Sequence, residues 1–200
     1  MRVHWLIRIL VVLLLTSCEA EPERLDDYFL EFATVKWDGG ECLFRLDNGR
    51  LLIPQSTDYT GKEGQRVVLS YTPLQGDTVK INRVSEIFTA PLLTEGFPNK
   101  LAKEPVKIQS IWVEGDYLNM IIETEYHSKP HKVALFQDTT SPTIDLHFSH
   151  SRESDPPGYP QVMYCSFLLE SLRTENEDSI PFHLFIHTYD GLREIPYTLN

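Results

Sequence analysis

The histidines are the side chains in this sequence best suited to chemistry. His183 and His187 stand four apart, a spacing that on a helix sets two imidazoles on one metal ion. The run that carries them, Pro181 to Thr188, alternates Phe182, Leu184 and Ile186 against His183, Phe185 and His187. That period of two predicts a strand. On a strand the two rings share a face but lie about 13 Å apart, too far to chelate one ion. Asp145 and His147 occupy the outward face of a second alternating run, Thr143 to Ser149, with His150 beside it. Asp145, His147 and His183 therefore meet only if their strands are neighbours. The outward face of a solvated sheet accounts for the same pattern. No Cys/His cluster accompanies these residues, so neither a metal nor another cofactor is expected.

Other chemistries lack their signatures. There is no Gly-x-Ser-x-Gly elbow and no glycine-rich phosphate loop. Glu123 and Glu125 share one strand face, where mutual repulsion favours solvent exposure. No pair of carboxylates is singled out for a glycosidase cleft. The chain is expected to bind rather than to catalyse. Its candidate contact residues are aromatic. Trp37 precedes Asp38-Gly39-Gly40, Trp112 precedes Glu114-Gly115-Asp116, and Tyr159 sits in the stiff segment Asp155-Pro156-Pro157-Gly158-Tyr159-Pro160. Aromatics near strand ends stack on sugars or anchor protein partners, although the ordinary place of a tryptophan is the core.

The elements that position these residues are strands. Tyr, Phe and Trp are plentiful, and no segment carries a long apolar stripe of helical period. In residues 28–90 the runs Tyr28–Trp37, Cys42–Leu46, Leu51–Pro54, Gln65–Thr72 and Thr78–Val84 read as five short strands. Asp47-Asn48-Gly49 is a hairpin turn, because Asn-Gly supplies positive φ. A long first strand followed by a meander predicts a small closed barrel of the OB type. Residues 91–105, with three prolines, read as a connection. In residues 106–200, strands are expected at Val106–Val113, Tyr117–Tyr126, His131–Phe136, Thr143–Ser149, Val162–Leu169, Pro181–Thr188 and Arg193–Leu199. Six or seven antiparallel strands in that length predict an immunoglobulin-like β-sandwich. The fold class is all-β, in two domains.

The first seventeen residues are a separate object. Arg2 is followed by an apolar run from Trp5 to Leu15 broken only by Arg8, and then by Leu15-Thr16-Ser17-Cys18. This is the order of a signal peptide, and the run is short for a membrane span. The last four residues resemble the bacterial lipobox. The resemblance implies cleavage before Cys18, lipidation of Cys18 and anchoring through acyl chains, each buried CH₂ adding about 0.8 kcal/mol. Residues 18–27, with Glu19, Glu21 and Glu23, then form an acidic lipidated tether. Removing residues 1–17 takes away two arginines and no acid, so the formal charge moves from −11 to −13. That balance argues against nucleic acid as a partner and against docking on anionic headgroups. Cys42 and Cys165 remain, and are either a disulfide of an exported protein or two buried thiols.

Three blocks also carry a family resemblance. Phe44 to Gly49 with Leu52-Ile53-Pro54, and Gly64 to Thr72, resemble the N-terminal OB-like region of the NigD-like lipoproteins of Bacteroidota. Ile111-Trp112-Val113-Glu114-Gly115-Asp116-Tyr117-Leu118-Asn119-Met120 is similar to the hairpin that opens that family's C-terminal sandwich. Leu135, the strand reaching His150, and Ser166-Phe167 continue the likeness. The resemblance implies an outer-membrane lipoprotein, facing periplasm or cell surface, in an accessory or immunity role. It supplies no catalytic residues. The expected partners are the membrane, through Cys18, and an envelope protein, with a glycan as the alternative ligand.

Overall fold

A computed structural model describes residues 28–173 and 179–200. The signal segment, Cys18 and the acidic tether lie outside the described residues.

The first domain is a closed five-stranded barrel, with β1 Phe29–Asp38, β2 Glu41–Leu46, β3 Leu51–Pro54, β4 Arg66–Pro73 and β5 Thr78–Glu86 in the order β1-β2-β3-β5-β4. β3 and β5 pair in parallel, Ile53 opposite Thr78, and this pairing closes the meander. The β2–β3 turn works as its sequence requires. Gly49 takes φ +85, Leu46 N–H donates to the Arg50 carbonyl at 2.8 Å, and Arg50 N–H donates to Asn48 Oδ1 at 3.0 Å. Ala33, Val35, Phe44, Leu52, Val67 and Leu69 fill the interior.

The second domain is the expected sandwich with one more strand. Its elements are β6 Phe88–Pro91, β7 Lys107–Glu114, β8 Tyr117–Tyr126, β9 Lys132–Asp138, β10 Asp145–Ser151, β11 Tyr159–Leu168, β12 Ile180–Thr188 and β13 Gly191–Leu199. One sheet runs β13-β12-β10-β9 and the other β6-β11-β8-β7. Leu118, Met120, Ile122, Leu146, Phe148, Phe182, Leu184 and Ile186 close the core between them, on the faces that their alternation predicts.

Two expectations change. Residues 88–90, read with the barrel, and Pro91, read with the connection, form one sandwich strand, in which Cys165 stands opposite Phe88. β6 is too short and too exposed to announce itself in the sequence. Its pairing with β11 is parallel, as is that of β10 with β12, so the sandwich is not wholly antiparallel. The segment after β6 is also more than a connection. Leu92 and Val106 are buried in the core, and bridges tie Leu93 to Phe136, Lys103 to His150 and Val106 to Thr188. The cysteines take one of their two expected forms. Cys42 lies in the barrel core and Cys165 in the sandwich core, both as free thiols, so the two form no disulfide and are small buried side chains.

Candidate partner-binding junction

Four consecutive residues of β1, Phe32 to Val35, and four of β4, Arg66 to Leu69, are buried. A strand buried without alternation has both faces covered. The inward residues line the barrel. Phe32, Thr34, Arg66 and Val68 point the other way, onto the outer face of the β7–β8–β11 sheet. The sandwich meets them with a row set by register, since Trp112 stands opposite Asn119 and Asn119 opposite Ser166.

Arg66 is the centre of the junction. Its side chain is 1 % exposed. The guanidinium grips Asp47 through both terminal nitrogens and donates to Thr34 Oγ1 at 3.0 Å and to Asn119 Oδ1 at 2.9 Å. It lies 4.4 Å from the centroid of the Tyr117 ring. Asn119 returns a hydrogen bond to Asp47 Oδ2 at 3.0 Å, and Ser166 Oγ donates to Asn119 Oδ1 at 2.6 Å. A charge is tolerated here because it is paired bidentately and because most of its donors are used. Two domains thus share one hydrogen-bond network.

Beside the network the two surfaces diverge into a cleft of about 300 Å³. Its apolar lining includes Leu30, Phe32, Val68, Trp112 and Tyr164, and Glu31, Asp47 and Glu114 stand among them. Trp112 packs edge-on against Phe32 at 4.9 Å between centroids, and Tyr164 lies 6.0 Å from the same ring. Tyr71 donates its hydroxyl to Glu31. Burial, followed by that acidic neighbour, raises the Tyr71 pKa, so the phenol stays a donor. Leu30 is 54 % exposed at the cleft mouth. The lining holds carboxylates and aromatics but no thiol, imidazole or aliphatic hydroxyl. Such a surface suits an apolar or cationic group.

The other candidates separate. Trp37 lies at the far end of β1, exposed. Tyr159 belongs to β11 rather than to a loop tip, opposite Tyr126 and edge-on to it at 5.9 Å. Asp145 and His183 do meet, at 3.2 Å across the parallel pair. His147 instead stacks between Phe97 and Phe185, at 4.3 and 4.8 Å. Among the described residues no three His, Cys, Asp or Glu side chains are placed to hold a metal ion.

One buried cluster escaped the sequence reading. Asp155 accepts backbone N–H groups from His127, Ser128 and Lys129 at 2.7–3.0 Å. Burial pushes its pKa up, but these donors outweigh burial and hold it at about 2. His131 Nε2 lies 3.4 Å from Asp155, His131 Nδ1 lies 3.0 Å from His150 Nε2, and His150 Nδ1 lies 3.1 Å from the Glu104 carbonyl. Since a carbonyl only accepts, His150 Nδ1 is the donor. Its Nε2 then accepts from His131. Burial lowers the His150 pKa, in keeping with an accepting ring. The chain of rings links β10 to the segments on either side of it, and His131 borders two shallow surface concavities.

A barrel and a sandwich joined through a buried arginine define an all-β protein. Residues 89–198 match the NigD-like C-terminal beta sandwich domain, and the chain belongs to that family. The match begins at β6, where the sandwich itself begins. Among solved structures, a protein of Parabacteroides distasonis described as toxin-related is 27% identical, with a TM-score of 0.78 over 87% of this chain and 94% of its own. A NigD-like immunity protein from Bacteroides caccae is 23% identical, with a TM-score of 0.68 over 84% of this chain and 91% of its own. A protein of unknown function from Bacteroides vulgatus, at 19% identity and a TM-score of 0.71, covers 87% of this chain and 90% of its own. The latter two likenesses are of fold. No curated protein sequence matches the chain.

Proposed function

We propose that the mature protein is a non-enzymatic accessory lipoprotein of the cell envelope, held in the outer membrane by acyl chains on Cys18, which binds a protein partner in the barrel–sandwich cleft. The observation that carries this reading is the cleft itself. A half-buried tryptophan stands in a concave, largely apolar lining at a rigid domain junction, with carboxylates around it. The B. caccae immunity protein, which shares the fold, supports an immunity or accessory role. The lipobox-like Leu15-Thr16-Ser17-Cys18 supports the anchor. The glycan alternative attached to Trp112 or to residues 151–160 gains little, because both aromatics spend an edge contact on a protein ring.

The test is crosslinking in intact cells of the acylated protein carrying a C-terminal tag, followed by isolation of the outer membrane. One stoichiometric protein partner is expected with the wild type. Trp112→Ala should weaken its binding at least about thirtyfold, as when a hot-spot anchor of about 2 kcal/mol is removed. A partner held equally well by the variant would remove the cleft from the reading.

A further inference from the structure

The barrel carries a second concavity, about 20 Å along β1 from the mouth of the first. Trp37 is 40 % exposed there and yet is fixed at its backbone and its ring. Its indole N–H donates to the Gly61 carbonyl at 2.9 Å, and its backbone N–H donates to Glu63 Oε2 at 2.7 Å. The same carboxylate pairs with Lys36 Nζ at 2.9 Å. An exposed aromatic with its rotamer set in advance loses little entropy when something stacks on it.

A groove of about 400 Å³ runs from Trp37 between the β2–β3 strands and the segment 55–60. Its apolar half includes Trp37, Leu43, Ile53 and Pro54. The rest is hydrogen-bonding capacity from Glu41, Gln55, Thr57 and Asp58. At its end Tyr59 tilts against the core ring of Phe44 at 6.0 Å, and its hydroxyl is shielded from solvent without a partner among the described residues. Gly61 is held to a glycine by this arrangement, since a Cβ there would stand 2.3 Å from the Tyr59 ring.

These features select a ligand class. No Lys, Arg or His lines the groove, and Glu41 and Asp58 repel anions. Phosphate, nucleic acid and uronic acids are therefore excluded. Polar groups make up a larger share of this lining than of the barrel–sandwich cleft, so the groove suits a hydroxylated ligand better than the apolar anchor of a protein partner. A flat aromatic beside carboxylate, amide and hydroxyl groups matches a pyranose. Its C–H face lies on the indole, and its vicinal hydroxyls donate to carboxylates and exchange hydrogen bonds with Gln55 and Thr57. We propose that this groove is a binding site for uncharged saccharides, separate from the partner cleft.

The purified mature lipoprotein in detergent would be applied to an array of neutral and anionic glycans, and hits would be measured by titration calorimetry. At least one neutral oligosaccharide is expected to bind saturably. Trp37→Ala should abolish that binding, and Asp58→Ala should weaken it roughly tenfold or more. Asp58 is exposed and outside both cores, so the second variant keeps its thermal midpoint and separates lost contacts from lost folding. Retention only of anionic glycans, binding that survives both substitutions, or no saturable neutral glycan on the array would each overturn the proposal.

Discussion

Arg66 is a full charge set among Val67, Val68 and Leu69, and its surroundings decide whether it is an asset or a defect. Paired with Asp47 and bonded to Thr34 and Asn119, it joins the domains. Unpaired, it is a buried cation with no water to turn to. Asp47→Ala is expected to destabilise the protein by about 3–5 kcal/mol, the cost of breaking a buried pair from one side. Asn119→Ala, which orphans donors on both Arg66 and Ser166, should cost about 1–3 kcal/mol. Denaturant unfolding of the two variants checks both numbers. A loss under 1 kcal/mol for Asp47→Ala would mean that the junction tolerates a free guanidinium. The cysteines give a second prediction at this scale. Burial pushes the Cys165 thiol up to about 12 and also raises Cys42. Native protein should leave a thiol reagent almost unconsumed. The denatured chain, with Cys18 acylated, should titrate two thiols without prior reduction.

At the scale of elements, the β8–β9 turn and the segment entering β11 are held by one carboxylate. Asp155→Ala leaves three backbone donors without their acceptor. Amide exchange at His127, Ser128 and Lys129 should accelerate while the β12 and β13 amides stay protected. Uniform acceleration would show that Asp155 supports the whole sandwich instead. The histidines predict a pH dependence. Burial holds His147, His150 and His187 below the ordinary imidazole value. The unfolded chain takes up protons near pH 6.5 that the folded chain refuses, so it binds more protons across that window. Stability then rises with pH and falls as pH drops from 7 toward 5. His150→Gln should flatten that profile by up to about 1.4 kcal/mol per pH unit, and an unchanged slope would count against a neutral His150. Asp155 acts in the same direction further down. Its stabilisation is full above the usual carboxylate range and is lost as pH falls toward 2.

For the whole molecule, the shared network predicts that barrel and sandwich unfold together. Calorimetry of the wild type should show one transition, with van't Hoff and calorimetric enthalpies equal. Asp47→Ala combined with Phe32→Ala should split it in two, and a split transition in the wild type would count against coupling through the junction. Some of this architecture follows from sequence alone. Period-two runs such as Leu118-Met120-Ile122 and Phe182-Leu184-Ile186 specify which faces are buried, because a strand turns successive side chains to opposite sides. Asn48-Gly49 specifies a turn, because few other pairs accept its backbone. The fold class and the positions of most strands depend on such local rules, and so they are legible. The junction depends on which strands become neighbours. In the sequence Arg66 borders one apolar run and Asn119 interrupts another, and nothing local says that Asp47 lies beside both. The same limit hid β6, whose four residues are a strand only beside β11, and the His131–His150–Asp155 cluster, drawn from three separate elements. It also left Cys42 and Cys165 open, until packing placed them in different cores. The sequence by itself determined most strands, the turns and their buried faces, because these are contests between neighbours in the chain. Tertiary structure decided the paired charge, the cleft beside it and the role of each tryptophan, because a buried polar group is satisfied only by residues that folding brings to it.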